Sequence, residues 1–186
     1  IPPDGSLFGP PMPFGMNRHL SDRDVNAIAT YVMQVPAVSN AVPKSEYRIP
    51  LPPAYGPPVG SVPEPRPENI LDYGAYLAGP AGHCLECHTP MVKGRFDYEN
   101  QAGAGGLRFE GPWGVSVSSN ITPHADGNVA DYSDAELATV IRTGIRPDDT
   151  RLFPPMGVSY YSSINDRDMA ALVAFIRTLP PQESAQ

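Results

Sequence analysis

The sequence predicts an all-α fold, on three observations. Apolar residues recur at helical spacing in three segments, around 70–78, 137–141 and 169–176. Capping residues and Gly or Pro bound each segment, and no stretch alternates apolar and polar residues convincingly enough to read as a half-buried strand.

The elements follow in order. Asn69 caps a helix whose apolar residues Ile70, Tyr73, Leu77 and Ala78 share one face, and Gly79-Pro80 stops it. Gly74 allows this helix to approach the last one closely, where Phe175 packs. Residues 90–132, rich in Gly, Asn and Pro, read as one long loop of turns, a length usually associated with ligand wrapping or disorder. Ser133 and Glu136 have capping-box spacing and open a short helix, 134–143, that Gly144 ends. Asn165 and Asp168 open the last helix, where Met169, Leu172, Val173 and Ile176 keep the 3.6 period as far as Leu179-Pro180.

Composition narrows the class further. A chain of 186 residues suits one domain or two small ones. With 41% hydrophobic residues it is too apolar for wholesale disorder despite 24 prolines and 17 glycines. A formal net charge of −7 excludes a nucleic-acid partner, because no excess of Lys or Arg is available to neutralise phosphates. No stretch approaches the roughly 20 apolar residues of a membrane span. Ile1 begins no signal peptide, so any export signal is expected to have been removed.

Prolines crowd between Pro36 and Pro67, each fixing φ and removing a backbone donor. Two readings stay open for this stretch, a stiff extended connector and a surface strap lying on one domain.

The two ends of the chain repeat one another. "IPPDGSLFGPPMPFGMNRHLSDRDVNAIATYVMQVP" from Ile1 aligns with "IRPDDTRLFPPMGVSYYSSINDRDMAALVAFIRTLP" from Ile145, with one single-residue gap in each. Pro-Asp, Leu-Phe, Pro-Pro-Met, Asp-Arg-Asp and the closing proline all match, which exceeds a shared helical period. The chain is therefore expected to open on the tail of a truncated domain.

"HCLECHTP", 83–90, holds the only two cysteines of the chain, Cys84 and Cys87, followed at once by His88. Cys-x-x-Cys alone suits a redox disulfide, half a zinc site or a haem attachment, and the adjacent His points to covalent c-type haem. One helical turn lets two thiols reach the two vinyl groups on one side of a porphyrin, with the His beneath the iron. A thioredoxin-like site would want a strand before the motif and a helix after it, whereas Thr89-Pro90 follows. Zinc would need four ligands, and beyond the motif only His19, His83 and His124 remain.

Electron transfer asks for a sixth ligand, and Met156 in "LFPPMGVSYY" is the candidate, with His124 as its rival. Met91 is too near His88 to cross the ring, and Met169 belongs to a core stripe. The predicted pocket walls are Tyr76, Leu77, Trp113, Phe153 and Phe175. A haem enzyme or ligand sensor with a displaceable sixth position is the alternative.

"GHCLECHTP", "GPWGVSVSSNITPH", "YSDAELATVIRTGI", "LFPPM" and "INDRDMAALVAFIRTLP" together resemble one domain of the multihaem cytochrome c subunits of bacterial periplasmic alcohol and aldehyde dehydrogenases and related molybdenum hydroxylases. The resemblance implies a small class I-like cytochrome c fold over 69–180, with a long haem-wrapping loop. Ahead of it stand a partial cytochrome-like segment (1–40) and a Pro-rich linker (41–68); a tail, 181–186, follows. It implies one haem c bound through Cys84 and Cys87, with iron between His88 and Met156, and Trp113 and Asn120 as donors to the haem propionates. Met12 takes the place of a sixth ligand in the first segment. The resemblance further implies a periplasmic electron-transfer protein rather than an enzyme. Its partners would be a dehydrogenase catalytic subunit and an acceptor cytochrome, oxidase or quinone-linked enzyme. Such subunits typically carry three haems, whereas this sequence attaches one. Gly157 stands where a proline is common.

Overall fold

The computed structural model describes residues 7–9, 12–47 and 50–185, and the chain divides into two compact units, Ile1–Glu64 and Pro65–Gln186. Part of the first repeat copy, residues 1–6 and 10–11, lies outside the described residues.

The first unit holds α1 (Phe14–Asn17) and α2 (Asp22–Gln34). Ser21 caps α2 by accepting from the Asp24 amide, as short hydroxyl side chains do at helix N-termini. The Pro-rich stretch folds back along both helices. Tyr55 stacks on Phe14 with centroids 4.3 Å apart, and Arg18 donates to the carbonyls of Tyr55 and Pro57 at 2.9 and 2.8 Å. The Asp22 carboxylate accepts from the Val62 amide and the Ser61 hydroxyl, and the Asp22 amide donates to the Val62 carbonyl. The geometry is that of a strap. Prolines suit it, because their missing N–H groups leave no donor to satisfy along an edge that is mostly solvated.

The second unit contains α3 (Ile70–Tyr76), a π-helical turn (Leu77–Ala81), α4 (Cys84–Cys87), α5 (Asn128–Asp131), α6 (Asp134–Thr143), α7 (Val158–Tyr161) and α8 (Asp166–Arg177). It is not purely helical. Within the segment expected to be one long loop of turns lie two antiparallel hairpins, β1 (Met91–Val92) with β2 (Arg95–Phe96), and β3 (Arg108–Gly111) with β4 (Gly114–Val117). Lys93 and Gly94, both at positive φ, close the first hairpin, as a two-residue turn matched to strand twist requires.

α6 has the predicted bounds and both halves of the capping box, and Gly144 ends it at φ 68. The Asn69 amide does not cap α3; it donates to Asp72 instead. Nor does the helix stop at Gly79. It widens into the π-turn, which accommodates Pro80 where a regular i→i−4 ladder would meet its ring. Ile70 is exposed, so the buried face of this segment runs through Gly74 and Ala78 rather than through its first residue.

α3 crosses α8 at Gly74. A Cβ there would fall 2.1 Å from the Ala171 carbonyl oxygen and 2.7 Å from the Phe175 Cβ, so only glycine lets the backbones meet this closely. Tyr73 fixes the crossing by donating to Asp168 at 3.0 Å. Ala78, Val129, Leu137, Ile141, Met169, Leu172, Val173 and Ile176 form one core. Arg177 clamps α8 to the chain entering α6 through an ion pair with Asp134 at 2.9 Å and through donation to the carbonyls of Val129 and Tyr132.

The repeat has a three-dimensional counterpart. At the offset of Ile145 from Ile1, α1 aligns with α7, α2 with α8, and the capping residue Ser21 with Asn165, whose side chain accepts from the Asp168 amide. Their environments differ. Met169, Leu172 and Ile176 are 2–3% exposed, whereas the aligned Val25, Ile28 and Val32 are 47–59% exposed.

Replacing Gly74 with Ala is expected to lower stability by about 1–3 kcal/mol through overpacking at the crossing, and Leu is expected to prevent folding. Urea unfolding of the two variants beside the parent protein measures both.

Candidate haem site

Residues from the π-turn through α4, from β3–β4 and the segment after them, and from α6 to α8 enclose one cavity of about 670 Å³, inside the range of roughly 300–1,000 Å³ usual for cofactor sites. Its wall is mainly apolar, with Leu77, Val140, Ile141, Leu172 and Ile176 among the lining residues. Cys84, Cys87, His88 and Met156 all line it.

The motif is positioned by its flanks. His83 adopts a left-handed conformation (φ 57), turning the chain from the π-turn into α4, and its Nδ1 lies 3.1 Å from Glu86. Tyr161 on α7 donates its hydroxyl to the Gly82 carbonyl at 2.7 Å, tying the turn before Cys84 to the last third of the chain. Cys84 and Cys87 are not joined to one another in a disulfide. Burial raises both thiol pKa values, that of Cys84 to about 12.

His88 Nδ1 lies 2.7 Å from the Ser119 carbonyl oxygen. A carbonyl only accepts, so Nδ1 carries the proton and Nε2 is left with its lone pair free. Burial lowers the His88 pKa further, against a smaller opposing effect of this hydrogen bond, which keeps the imidazole neutral and ligand-competent at physiological pH.

The segment that supplies Ser119 is itself held tightly. Gly105, at φ 74, donates to the His88 carbonyl at 2.8 Å, and a Cβ on it would lie 2.5 Å from the Ser118 carbonyl oxygen. Asn120 is 5% exposed and lines the cavity. Its amide donates to the Gln182 carbonyl at 2.7 Å, and its oxygen accepts from the Thr122 amide and hydroxyl. The tail is therefore docked: Gln182 and Ser184 donate backbone N–H groups to Thr122 Oγ1 and Asp126, and Ala185 donates to Ala104.

Met156 sits in a loop that the hairpin supports, since Ser116 on β4 donates to the Pro154 carbonyl at 2.6 Å. The rival His124 is engaged with Asp126 and does not line the cavity. Met91 lies on β1, half exposed, and Met169 is buried in the core.

The predicted walls divide. Leu77 and Phe153 line the cavity, whereas Tyr76 and Phe175 do not; Phe175 packs at the α3–α8 crossing. Trp113 is displaced from its expected place. The turn between β3 and β4 carries it to the hairpin tip, folded over Gly111, 38% exposed and outside the cavity wall. Gly105, Ser116, Ser119 and Tyr161 escaped the sequence reading. All four act through or upon backbone carbonyls, which side-chain identity does not reveal. Among the described residues no group of three or more His, Cys, Asp or Glu side chains converges as a metal site, so the two thiols have no set of zinc partners.

A helical domain with a Cys-x-x-Cys-His turn opening on an apolar cavity defines a haem-binding class. The cytochrome c family profile matches residues 72–180, and the chain belongs to that family, whose cofactor is covalently bound haem c. Similar proteins include the cytochrome c subunit of alcohol dehydrogenase (quinone) from Gluconacetobacter polyoxogenes, 36% identical over 106 residues, covering 57% of this chain and 21% of that protein. The gluconate 2-dehydrogenase cytochrome c subunit of Pantoea cypripedii is 38% identical over 108 residues (58% and 23%). The fructose dehydrogenase cytochrome subunit of Gluconobacter japonicus is 34% identical over 119 residues (62% and 23%). The chain thus spans about a fifth to a quarter of the length of these relatives.

Gly105→Ala is expected to cost about 1–3 kcal/mol, because it combines positive-φ strain with a collision against the backbone after β4 that carries Ser119. The shift in thermal or urea midpoint of the haem-loaded protein measures it.

Proposed function

We propose that this chain is a one-electron relay, carrying a single haem c between a periplasmic dehydrogenase and a quinone, oxidase or second cytochrome. The observation that carries this reading is the convergence of Cys84, Cys87, His88 and Met156 on one apolar cavity. When bound, the haem supplies a reversible one-electron change at iron.

The residues fit that group. Cys84 and Cys87, one helical turn apart on α4, offer the two thiols for thioether attachment. His88 presents a neutral Nε2, its tautomer set by the Ser119 carbonyl. Such a partner to the second ring nitrogen orients a ligating imidazole and raises its basicity. Met156 supplies a thioether from a loop braced by Ser116, and thioether ligation together with an apolar wall favours the reduced state. Asn120 serves by locking the Ser119 segment to the tail. No described helix is long and apolar enough to cross a membrane.

The organisation belongs to the same reading. Residues 1–40 form the end of a preceding cytochrome-like domain, with Met12 standing in for Met156. Residues 41–68 connect, 69–180 form the monohaem domain, and 181–186 are its tail. The matching helices and caps of the repeat support this. Partners of the relatives named above suggest a dehydrogenase catalytic subunit as donor. The acidic chain (formal net charge −7) suits a basic partner met through a small transient interface, below about 1,200 Å².

Two measurements test the reading. Intact mass after acid-acetone extraction is expected to report one retained haem, and colour that extracts would exclude thioether linkage. The ferric protein is expected to show the weak near-infrared charge-transfer band of sulfur-ligated low-spin haem, and Met156→Ala to abolish it. A variant that keeps the parent spectrum would remove Met156 from the iron and leave an exchangeable sixth position, as in a sensor or a peroxidase-like enzyme.

A further inference from the structure

Among the residues lining the cavity, Arg146 is the only one of the types Asp, Glu, Lys and Arg. It follows the helix-ending Gly144 and sits at the root of the short loop 145–151, whose ends pair at Ile145 and Arg151. The loop fixes it. The Arg146 amide donates to the Thr150 carbonyl at 2.8 Å, and Nη1 donates to both Thr150 Oγ1 and the Arg151 carbonyl, each at 3.2 Å. Asp148 is occupied on the same loop by the Thr150 amide and hydroxyl, at 3.0 and 2.6 Å. Among the described residues no carboxylate lies within ion-pair distance of Arg146, and Asp148, whose pKa is lowered mainly by its Thr150 hydrogen bonds, feels the Arg146 charge only as a lesser cause, whereas Arg142 and Arg177 are paired with Asp166 and Asp134.

A half-buried guanidinium that no carboxylate contacts directly is stabilised on an apolar wall by an anion that meets it. Haem brings two anionic propionates on an otherwise apolar ring. Other cavity-lining groups suit them less: His83 faces Glu86, Asn120 is committed to Gln182, and the serines carry no charge. A guanidinium held by one of its nitrogens still offers a planar fork that matches a carboxylate.

We propose that Arg146 is the residue that receives a haem propionate, and that it sets the reduction potential by neutralising that carboxylate within the cavity. This rests on haem occupying the cavity as proposed above. Arg146 is a positioning and potential-setting residue, and it takes no part in ligating the iron.

The test uses the haem-loaded full chain, with thioether attachment and the near-infrared band verified first in the parent protein, where absence of either marks failure of the haem reading itself. Arg146→Gln is expected to move the ferrous/ferric equilibrium about tenfold toward the ferric state, about 59 mV for one electron. It is also expected to shift the propionate-bending bands in resonance Raman spectra. Arg146→Lys keeps the charge and is expected to restore most of the potential. An Arg146→Gln protein with unchanged potential and unchanged propionate bands would overturn the assignment. So would loss of the near-infrared band in both variants, since Arg146 would then be acting only through the loop that leads to Met156.

Discussion

The hydrogen bond from His88 Nδ1 to the Ser119 carbonyl is the interaction on which the rest of the site depends. It joins two segments thirty-one residues apart and decides which imidazole nitrogen is left with its lone pair. A single hydrogen bond of this kind is worth only about 1 kcal/mol net, so it does not hold those segments together unaided. Its geometry is set by what surrounds Ser119: Gly105 passing beneath, Asn120 and Thr122 anchored to the tail, and β4 leading in from a hairpin that also braces the Pro154 carbonyl. The residues that look like filler in the long central segment are therefore the frame that orients the ligand histidine and the methionine loop together.

That frame also explains what was legible in the sequence. α6 could be read to the residue because its signals are local: a capping box at one end, a left-handed glycine at the other and an apolar stripe between them. The cysteine-histidine turn was legible for the same reason, its chemistry lying in five consecutive residues. The second hairpin was not, because its strands are four residues long, its alternation is half-exposed, and its turn residues Pro112-Trp113 match no standard hairpin signal. Ser119 and the Gly82 carbonyl left no trace, since a backbone acceptor can belong to any residue. Trp113 was misplaced by one step of the same logic: its position in the sequence is right for the wrapping segment, and only the hairpin turn decides that it points away.

The repeat sets a limit of a different kind. α2 and α8 share a capping pattern and an apolar stripe at aligned positions, and in each the pattern correctly marks one face. In α8 that face is packed by α3, α6 and the π-turn and is nearly fully buried, while in α2 it is half exposed. Periodicity tells which side of a helix is meant to be covered. Supplying the cover is a tertiary matter, and the caps and intrinsic propensities of the two helices do not distinguish the cases.

Val129, Leu137, Ile141, Leu172 and Ile176 belong at once to the hydrophobic core and to the cavity wall. For most proteins a candidate pocket residue and a candidate core residue are competing interpretations of the same apolar side chain. In a unit this small the two coincide, because α6 and α8 turn one apolar surface both to each other and to the cavity. The consequence is energetic as well as geometric. Burying such a side chain contributes roughly 1.5–3 kcal/mol, so the wall that gives the cavity its low polarity is also a main source of the unit's stability. A polar side chain in that wall would change the electrostatics of the site and weaken the core in one step, and the one cation that the wall does contain enters from a loop rather than from either helix.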